Sequence, residues 1–556
     1  MLNKLKGPQF TLGLSLIILF GLCLYPFLIL IAKVLFPAGD FSAEFFMKAF
    51  HSKSTLLAMK NTIVVSTLTA FISLCLALPL AFLLSRTDLK NKKKWRTLFC
   101  LPYAIPPYIG AIAWIILGNP KMGLLNLIAG ESWLNIYSMG GLIWVMSSFF
   151  YTYILLSLLT AFDRMDPSLE EAARLSGAGP FKVFLDITLP ISLPSLFSGL
   201  LLVFLASAAS FGVPAMIGNP AQIYLMTTKI YTFQKMGSMS GIFVAGALSI
   251  ILLVLSLIVL FSNQRLLKNK KFQVVSGKSA RPSFLKLNQY KWPVIILLCL
   301  FFFLVFVLPV LGIAFSAFSK VQGTLSFSNF GFQNFFKIFF EMNETPRALF
   351  NSFSLAFWAA TIATTLGLFL SYINVKTRIK GKGLIETFAS LPYASPGTVA
   401  ALAFILAYSR ISVFGYSLSL YNTLPFIILA YIAKYLNFGV RTTGDGLSQI
   451  DDVLAEAARV SGADWFTTLR TVWFPLMKPA LVASWFLIFM PAFSELTMTI
   501  LLSGPGTETL GTLIFQLQEY GDASGGGAAV LALFTIGFVA LINFIVKFIS
   551  KGKYGL

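Results

Sequence analysis

Apolar residues in this chain gather into runs of about 20, long enough to cross a hydrocarbon core as a helix, and polar residues fall in short clusters between them. We count twelve such runs, six in each half, so the pattern predicts an all-α integral membrane protein with about twelve transmembrane helices. The first run, roughly residues 10 to 31, is too long for a signal-peptide core and has no small-residue cleavage site after it, so it reads as a retained anchor helix. Prolines interrupt the third and ninth runs at matching places, in Leu101-Pro102-Tyr103-Ala104-Ile105-Pro106 and Leu391-Pro392-Tyr393-Ala394-Ser395-Pro396.

That match belongs to a repeat. An offset of 290 residues also carries Asn61-Thr62 onto Asn351-Ser352, and an offset of 285 carries Glu171-Ala172-Ala173-Arg174 onto Glu456-Ala457-Ala458-Arg459. Six spans per copy return the chain to its starting side, so the copies are expected to be parallel, related by a pseudo-two-fold axis along the membrane normal. The expected domains are 1–262 and 292–556, joined by a basic cytoplasmic linker at 263–291.

Composition agrees: 57% of residues are hydrophobic and 11% charged, against about 25% charged in soluble domains. The net charge of +21 does not point to nucleic acid, because no basic segment is interleaved with stacking aromatics. The Lys and Arg residues crowd into alternate loops, which places those loops, both termini and both Glu-Ala-Ala segments in the cytoplasm. The linker's basic residues suit contact with anionic lipid. Its Ser276-Gly277-Lys278-Ser279 has Phe272 where a phosphate loop needs glycine, so no nucleotide site is expected there. Cys23, Cys75, Cys100 and Cys299 lie in or beside apolar runs, and His51 is the single histidine, which speaks against a disulfide framework and a histidine metal site.

The polar device itself reads as a helix–turn–helix. Asp166 caps a helix with Pro167 at its first position, Glu170 and Glu171 suit its first turns, and Gly177 ends it. A second short helix should run from Pro180 to Ile187 and stop before Pro190. Asp451, Glu456, Gly462 and Pro475 repeat the plan.

Glu-Ala-Ala, three residues, Gly, nine residues, Ile, one residue, Leu-Pro resembles the EAA loop of ABC-importer permeases. Residues 171–190 match it fully; the second copy departs only at Val472 and Phe474. The resemblance covers almost the whole chain, and residues 101–114 and 494–509 are similar to ferric-iron importer permeases. It implies that Glu171, Ala172, Ala173 and Gly177, with Glu456, Ala457, Ala458 and Gly462, contact two copies of a cytosolic ATPase. That partner would bind ATP and Mg, and an extracytoplasmic binding protein would deliver substrate, leaving this chain without a cofactor or catalytic role. Fused permeases for thiamine, phosphonates and polyamines share the architecture, so those substrates stay open.

Charge inside a span is costly and marks pathway candidates. Glu495, expected in the eleventh span opposite Ser210 in the other copy, suits a hard cation such as Fe(III), or is a carboxylate satisfied by backbone donors where Pro491 loosens the helix. Lys434, opposite Phe149, reads as a structural cation that snorkels or pairs with an acid. Tyr103 and Tyr393 either line the axis or anchor the interface. No metal ligand set is fixed by these residues. A secondary transporter would need more intramembrane acids and histidines than Glu495 alone, and a membrane enzyme would need a nucleophile–base or metal constellation that is not visible.

Overall fold

A computed structural model describes residues 12–268, 285–377, 379–413, 416–521 and 526–549. Among them, ten helices are long and apolar enough to cross a membrane, and two sharply bent helix pairs make twelve. The first half contributes Leu12–Leu35, Lys53–Arg86, the pair Lys92–Ala104 with Pro107–Gly118, Met139–Arg164, Pro180–Ala209 and Met239–Leu266. The second contributes Asn288–Phe318, Glu344–Lys376, the pair Gly383–Ala394 with Gly397–Tyr408, Leu424–Ser448, Arg470–Phe493 and Gly527–Val546. A two-stranded hairpin, Arg410–Val413 with Tyr416–Ser419, is a small departure from the expected all-α chain. Most of the linker, including the phosphate-loop lookalike, lies outside the described residues.

The third and ninth spans bend by 91° and 107°. Pro106 and Pro396 explain the place: a residue before proline is pushed out of the helical region, and Ile105 and Ser395 are extended, with ψ of 127° and 144°. The second arms then cross between the halves. The first span packs on Gly397–Tyr408, where Lys33 Nζ donates to the Leu406 carbonyl at 2.8 Å and the Tyr408 hydroxyl donates to the Gly21 carbonyl. Reciprocally, the seventh span packs on Pro107–Gly118, with Gly312 set against Leu117. Each half thus lends its entry helix to the other.

The repeated Asn–hydroxyl pair clamps a second inserted element. Asn61 Nδ2 donates to the Tyr224 carbonyl and Thr62 Oγ1 accepts from the Met226 amide, holding the helix Met226–Lys235. Asn351 donates to the Gly506 and Glu508 carbonyls and Ser352 Oγ accepts from the Leu510 amide, holding Leu510–Tyr520. A helix's first amides lack intrahelical partners, and here another helix's side chain accepts one.

Two expectations are corrected. The helix beginning at Pro180 does not stop before Pro190 but runs on into the fifth span through a π turn at Phe184–Thr188. Pro190 has no amide to donate, so the change of register there costs no hydrogen bond at that position. Glu495 is not inside the eleventh helix, which ends at Phe493; it lies in the break beyond, before the short helix Thr499–Leu502.

Candidate functional site: paired surface helices and a polar axis

The two repeated segments fold alike. Pro167–Leu175 starts at Asp166, whose carboxylate accepts from the Ser168 amide at 2.9 Å, and Asp452–Val460 starts at Asp451, which accepts from Val453 at 3.1 Å. Both end on a left-handed glycine, Gly177 at φ 84° and Gly462 at φ 85°. The amides of Ala178 and Ala463 then close back on the Ala173 and Ala458 carbonyls, each at 3.0 Å. A Cβ at either glycine would meet nothing within 4 Å; the backbone conformation, not crowding, selects glycine.

What these helices present is also matched. Leu175 and Val460 are both 90% exposed, Leu169 and Leu454 are exposed beside them, and Ala172 and Ala457 leave the intervening surface low. Glu171 is half-buried and Glu456 exposed, while Ala173 and Ala458 are intermediate. Two apolar prongs flanking a small-residue saddle form a surface that fits a cleft in a partner, repeated once per half.

The roots of the two helices differ. Sequence reasoning missed Glu170, which is buried and accepts from Arg86 Nε at 2.8 Å and Thr188 Oγ1 at 2.7 Å. Arg86 lies at the end of the second span and faces the Phe162 ring, so Glu170 ties the surface helix to three spans. The chain returning from the linker joins this root: the Leu285 amide donates to the Arg86 carbonyl, and the Asp88 amide to that of Leu285. In the second half Lys376 replaces Arg86, donating to the Ile450 carbonyl at 2.7 Å and facing the Trp473 ring.

Along the axis, Lys434 Nζ lies 2.8 Å from Glu495 Oε1, with both side chains almost wholly buried. The carboxylate also accepts from the Met498 and Thr499 amides and from Thr499 Oγ1, so it is a fully satisfied buried charge rather than an open ligand. Of the two sequence readings, the geometry matches backbone satisfaction, and Lys434 is the pairing cation. The neighbouring Leu496 packs on Gly212 of the first half, which places this polar knot at the seam. Ser210 sits at the equivalent break and accepts from Thr227 Oγ1 through its carbonyl.

Two further pairs join equivalent positions of the halves. Lys235 Nζ donates to the Tyr520 hydroxyl at 2.6 Å across the 285-residue offset, at the end remote from the surface helices. Burial opposes this ammonium's charge, but the Tyr520 and Tyr231 hydroxyls outweigh that and hold it above its ordinary range. Deeper in, Tyr103 and Tyr393 stand near enough to act on each other electrostatically, with Tyr153 beside them.

Comparison with known proteins follows this geometry. The family model for the binding-protein-dependent transport system inner membrane component matches residues 53–268 and 363–553. The ferric transport system permease protein FbpB of Actinobacillus pleuropneumoniae is 26% identical, covering 98% of this chain and 79% of its own length. The Fe(3+)-transport system permease protein FbpB 2 of Haemophilus influenzae is 26% identical over 98% of this chain and 99% of its own. The spermidine/putrescine permease PotC of Haemophilus influenzae is 26% identical but covers 43% of this chain. With two matched segments that together take in most of the sequence, the chain belongs to the binding-protein-dependent transport system inner membrane components, as a multi-pass ABC-importer permease that carries the domain twice in one polypeptide.

Proposed function

We propose that this chain is the complete membrane-spanning part of a ferric-iron importer and does no chemistry of its own. The matched pair of exposed helices carries the coupling half of this reading: one surface, repeated once per half, suits two copies of one partner. Glu171, Ala172, Ala173 and Gly177 seat one cytosolic ATPase, and Glu456, Ala457, Ala458 and Gly462 seat a second. Both termini then lie in the cytoplasm, and ATP and Mg are held by the ATPases. An extracytoplasmic binding protein delivers its load at the end closed by Lys235 and Tyr520. ATP-driven closure of the ATPase pair moves the two surface helices together, and Glu170 passes that movement to the second and fifth spans through Arg86 and Thr188. The full-length likeness to two ferric permeases supports iron as cargo over polyamine, which rests on a relative matching less than half of the chain. Thiamine and phosphonate remain the other rivals.

The test is ATP hydrolysis in proteoliposomes holding the chain and its ATPase, titrated with binding protein loaded with Fe(III) or empty. Stimulation is expected only from the iron-loaded form and should vanish in the Glu171→Lys, Glu456→Lys double variant. Stimulation by a polyamine- or thiamine-loaded protein instead would overturn the cargo. Transport driven by an ion gradient without ATPase would overturn the importer reading.

A further inference from the structure

Tyrosine hydroxyls within these spans normally find a partner. Tyr151 donates to the Phe99 carbonyl at 2.8 Å, Tyr435 to the Pro491 carbonyl, Tyr408 to the Gly21 carbonyl, and Tyr431 shares a hydrogen bond with Thr499. Tyr103, Tyr153 and Tyr393 differ: among the described residues, none of their hydroxyls is hydrogen-bonded to a protein group. Yet these are the three tyrosines whose hydroxyls interact electrostatically with one another. Tyr103 and Tyr393 occupy equivalent positions, each just before the break of a bent span, and so meet from opposite halves. Tyr103 packs edge-on against Tyr153 at 5.4 Å, and Tyr393 packs likewise on Phe438, the counterpart of Tyr153, at 4.8 Å.

Depth follows from helix geometry. Tyr153 lies near the middle of Met139–Arg164, about 16 Å from its Arg164 end at about 1.5 Å per residue. Despite that depth, Tyr103 is 47% and Tyr393 45% exposed, while Pro102 and Pro392 beside them are buried. The two rings therefore face open space inside the span layer, not packed protein.

Resting on the ferric cargo argued above, we propose that Tyr103, Tyr153 and Tyr393 form a phenol-oxygen way-station for a hard, high-valent cation, halfway across the membrane between the two halves. Phenol oxygen is a hard donor, suited to an ion that carboxylate and water also suit. Each metal–oxygen bond that forms displaces one phenolic proton to water, and the phenolate offsets part of the ion's charge. Phe438 closes the fourth side with hydrocarbon, so the donor set is incomplete and leaves positions for water or a carried anion. Such a site holds an ion weakly enough to release it. The Glu495 carboxylate, already occupied by Lys434 and Thr499, does not compete.

Fe(III) nitrilotriacetate is the probe, added to the purified chain in detergent, and the readout is the visible charge-transfer band that ferric–phenolate bonds produce. A saturable band is expected, reduced in Tyr103→Phe and absent in Tyr103→Phe/Tyr393→Phe, with an unchanged melting midpoint because these hydroxyls bond no protein group. Iron flux through the assembled importer should fall by about tenfold or more in the double variant, the scale of losses at metal sites. A band of full strength in the double variant, or iron flux with no band in the native chain, overturns the way-station and leaves the ferric reading standing. An assembled importer that carries another cargo and no iron overturns both.

Discussion

The two halves keep the same surface and abandon the same interior. Caps at Asp166 and Asp451, left-handed glycines at Gly177 and Gly462, and prongs at Leu175 and Val460 are equivalent in position and geometry. Beneath them the first half is rooted through the Arg86–Glu170 ion pair and the second through Lys376 on a carbonyl and a tryptophan ring. At the seam, Glu495 and Lys434 face positions held by Ser210 and Phe149 in the other copy. A surface read by two identical partners must stay identical. A root or a seam is met only once, so each copy can solve it differently.

Rooting offers the strongest way to break this comparison. Removing one partner of a buried ion pair costs about 3–5 kcal/mol, so Glu170→Ala should lower the melting midpoint of the chain markedly and uncouple ATPase stimulation from transport. Lys376→Ala removes a partly buried hydrogen bond and a ring contact, for which about 1–2 kcal/mol is the expected scale. Equal losses in the two variants, measured by thermal melts in one detergent, would show that the roots are equivalent after all.

The seam gives the next largest effect. Lys434→Met leaves the Glu495 carboxylate buried without its cation, and the loss should approach about 3 kcal/mol. Pairing it with Glu495→Gln should recover most of that loss, since Gln still accepts from the Met498 and Thr499 amides. Iron transport surviving in the recovered double variant would confirm a structural pair. Transport lost in a stable double variant would return Glu495 to the pathway.

Much of this was legible in the chain because it is local. Twelve apolar runs, the caps at Asp166 and Asp451 and the breaks before Pro106 and Pro396 depend on residues within a turn of one another. The Arg86–Glu170 and Lys434–Glu495 pairs join residues 84 and 61 positions apart on different helices, and no periodicity reports such a meeting. Reading Glu495 by itself suggested an open carboxylate; its donors from Met498 and Thr499 exist only because the helix stops at Phe493. One signal was present and unused. On a two-fold axis a residue can meet its own counterpart, so the repeat offset itself pointed to Lys235 with Tyr520 and to Tyr103 with Tyr393.

Smaller effects sharpen the likeness of the surface helices. Neither terminal glycine has a neighbour to obstruct a Cβ, so Gly177→Ala and Gly462→Ala should each cost only the left-handed backbone penalty, about 1–2 kcal/mol. The two losses should agree. A clear inequality would mean that one surface helix is held by its root more than by its own turn.

Acid distinguishes the halves at the smallest scale. The Ser168 amide and hydroxyl hold the Asp166 carboxyl below its ordinary range, and the Thr467 hydroxyl and amide do the same for Asp464, which caps the second short helix of the other half. A carboxylate with a depressed folded value contributes stability above the ordinary carboxylate range and loses it as pH falls through the depressed value. Exchange of the Ser168 amide should therefore accelerate only at strongly acid pH, and in Asp166→Asn it should lose that pH dependence, because Asn caps without titrating. The first half then frays at its first surface helix and the second half at its second. An acid response at Ser168 that persists in Asp166→Asn would assign the fraying to the Arg86–Glu170 root, where protonation of Glu170 breaks the only ion pair joining that helix to the second span among the described residues.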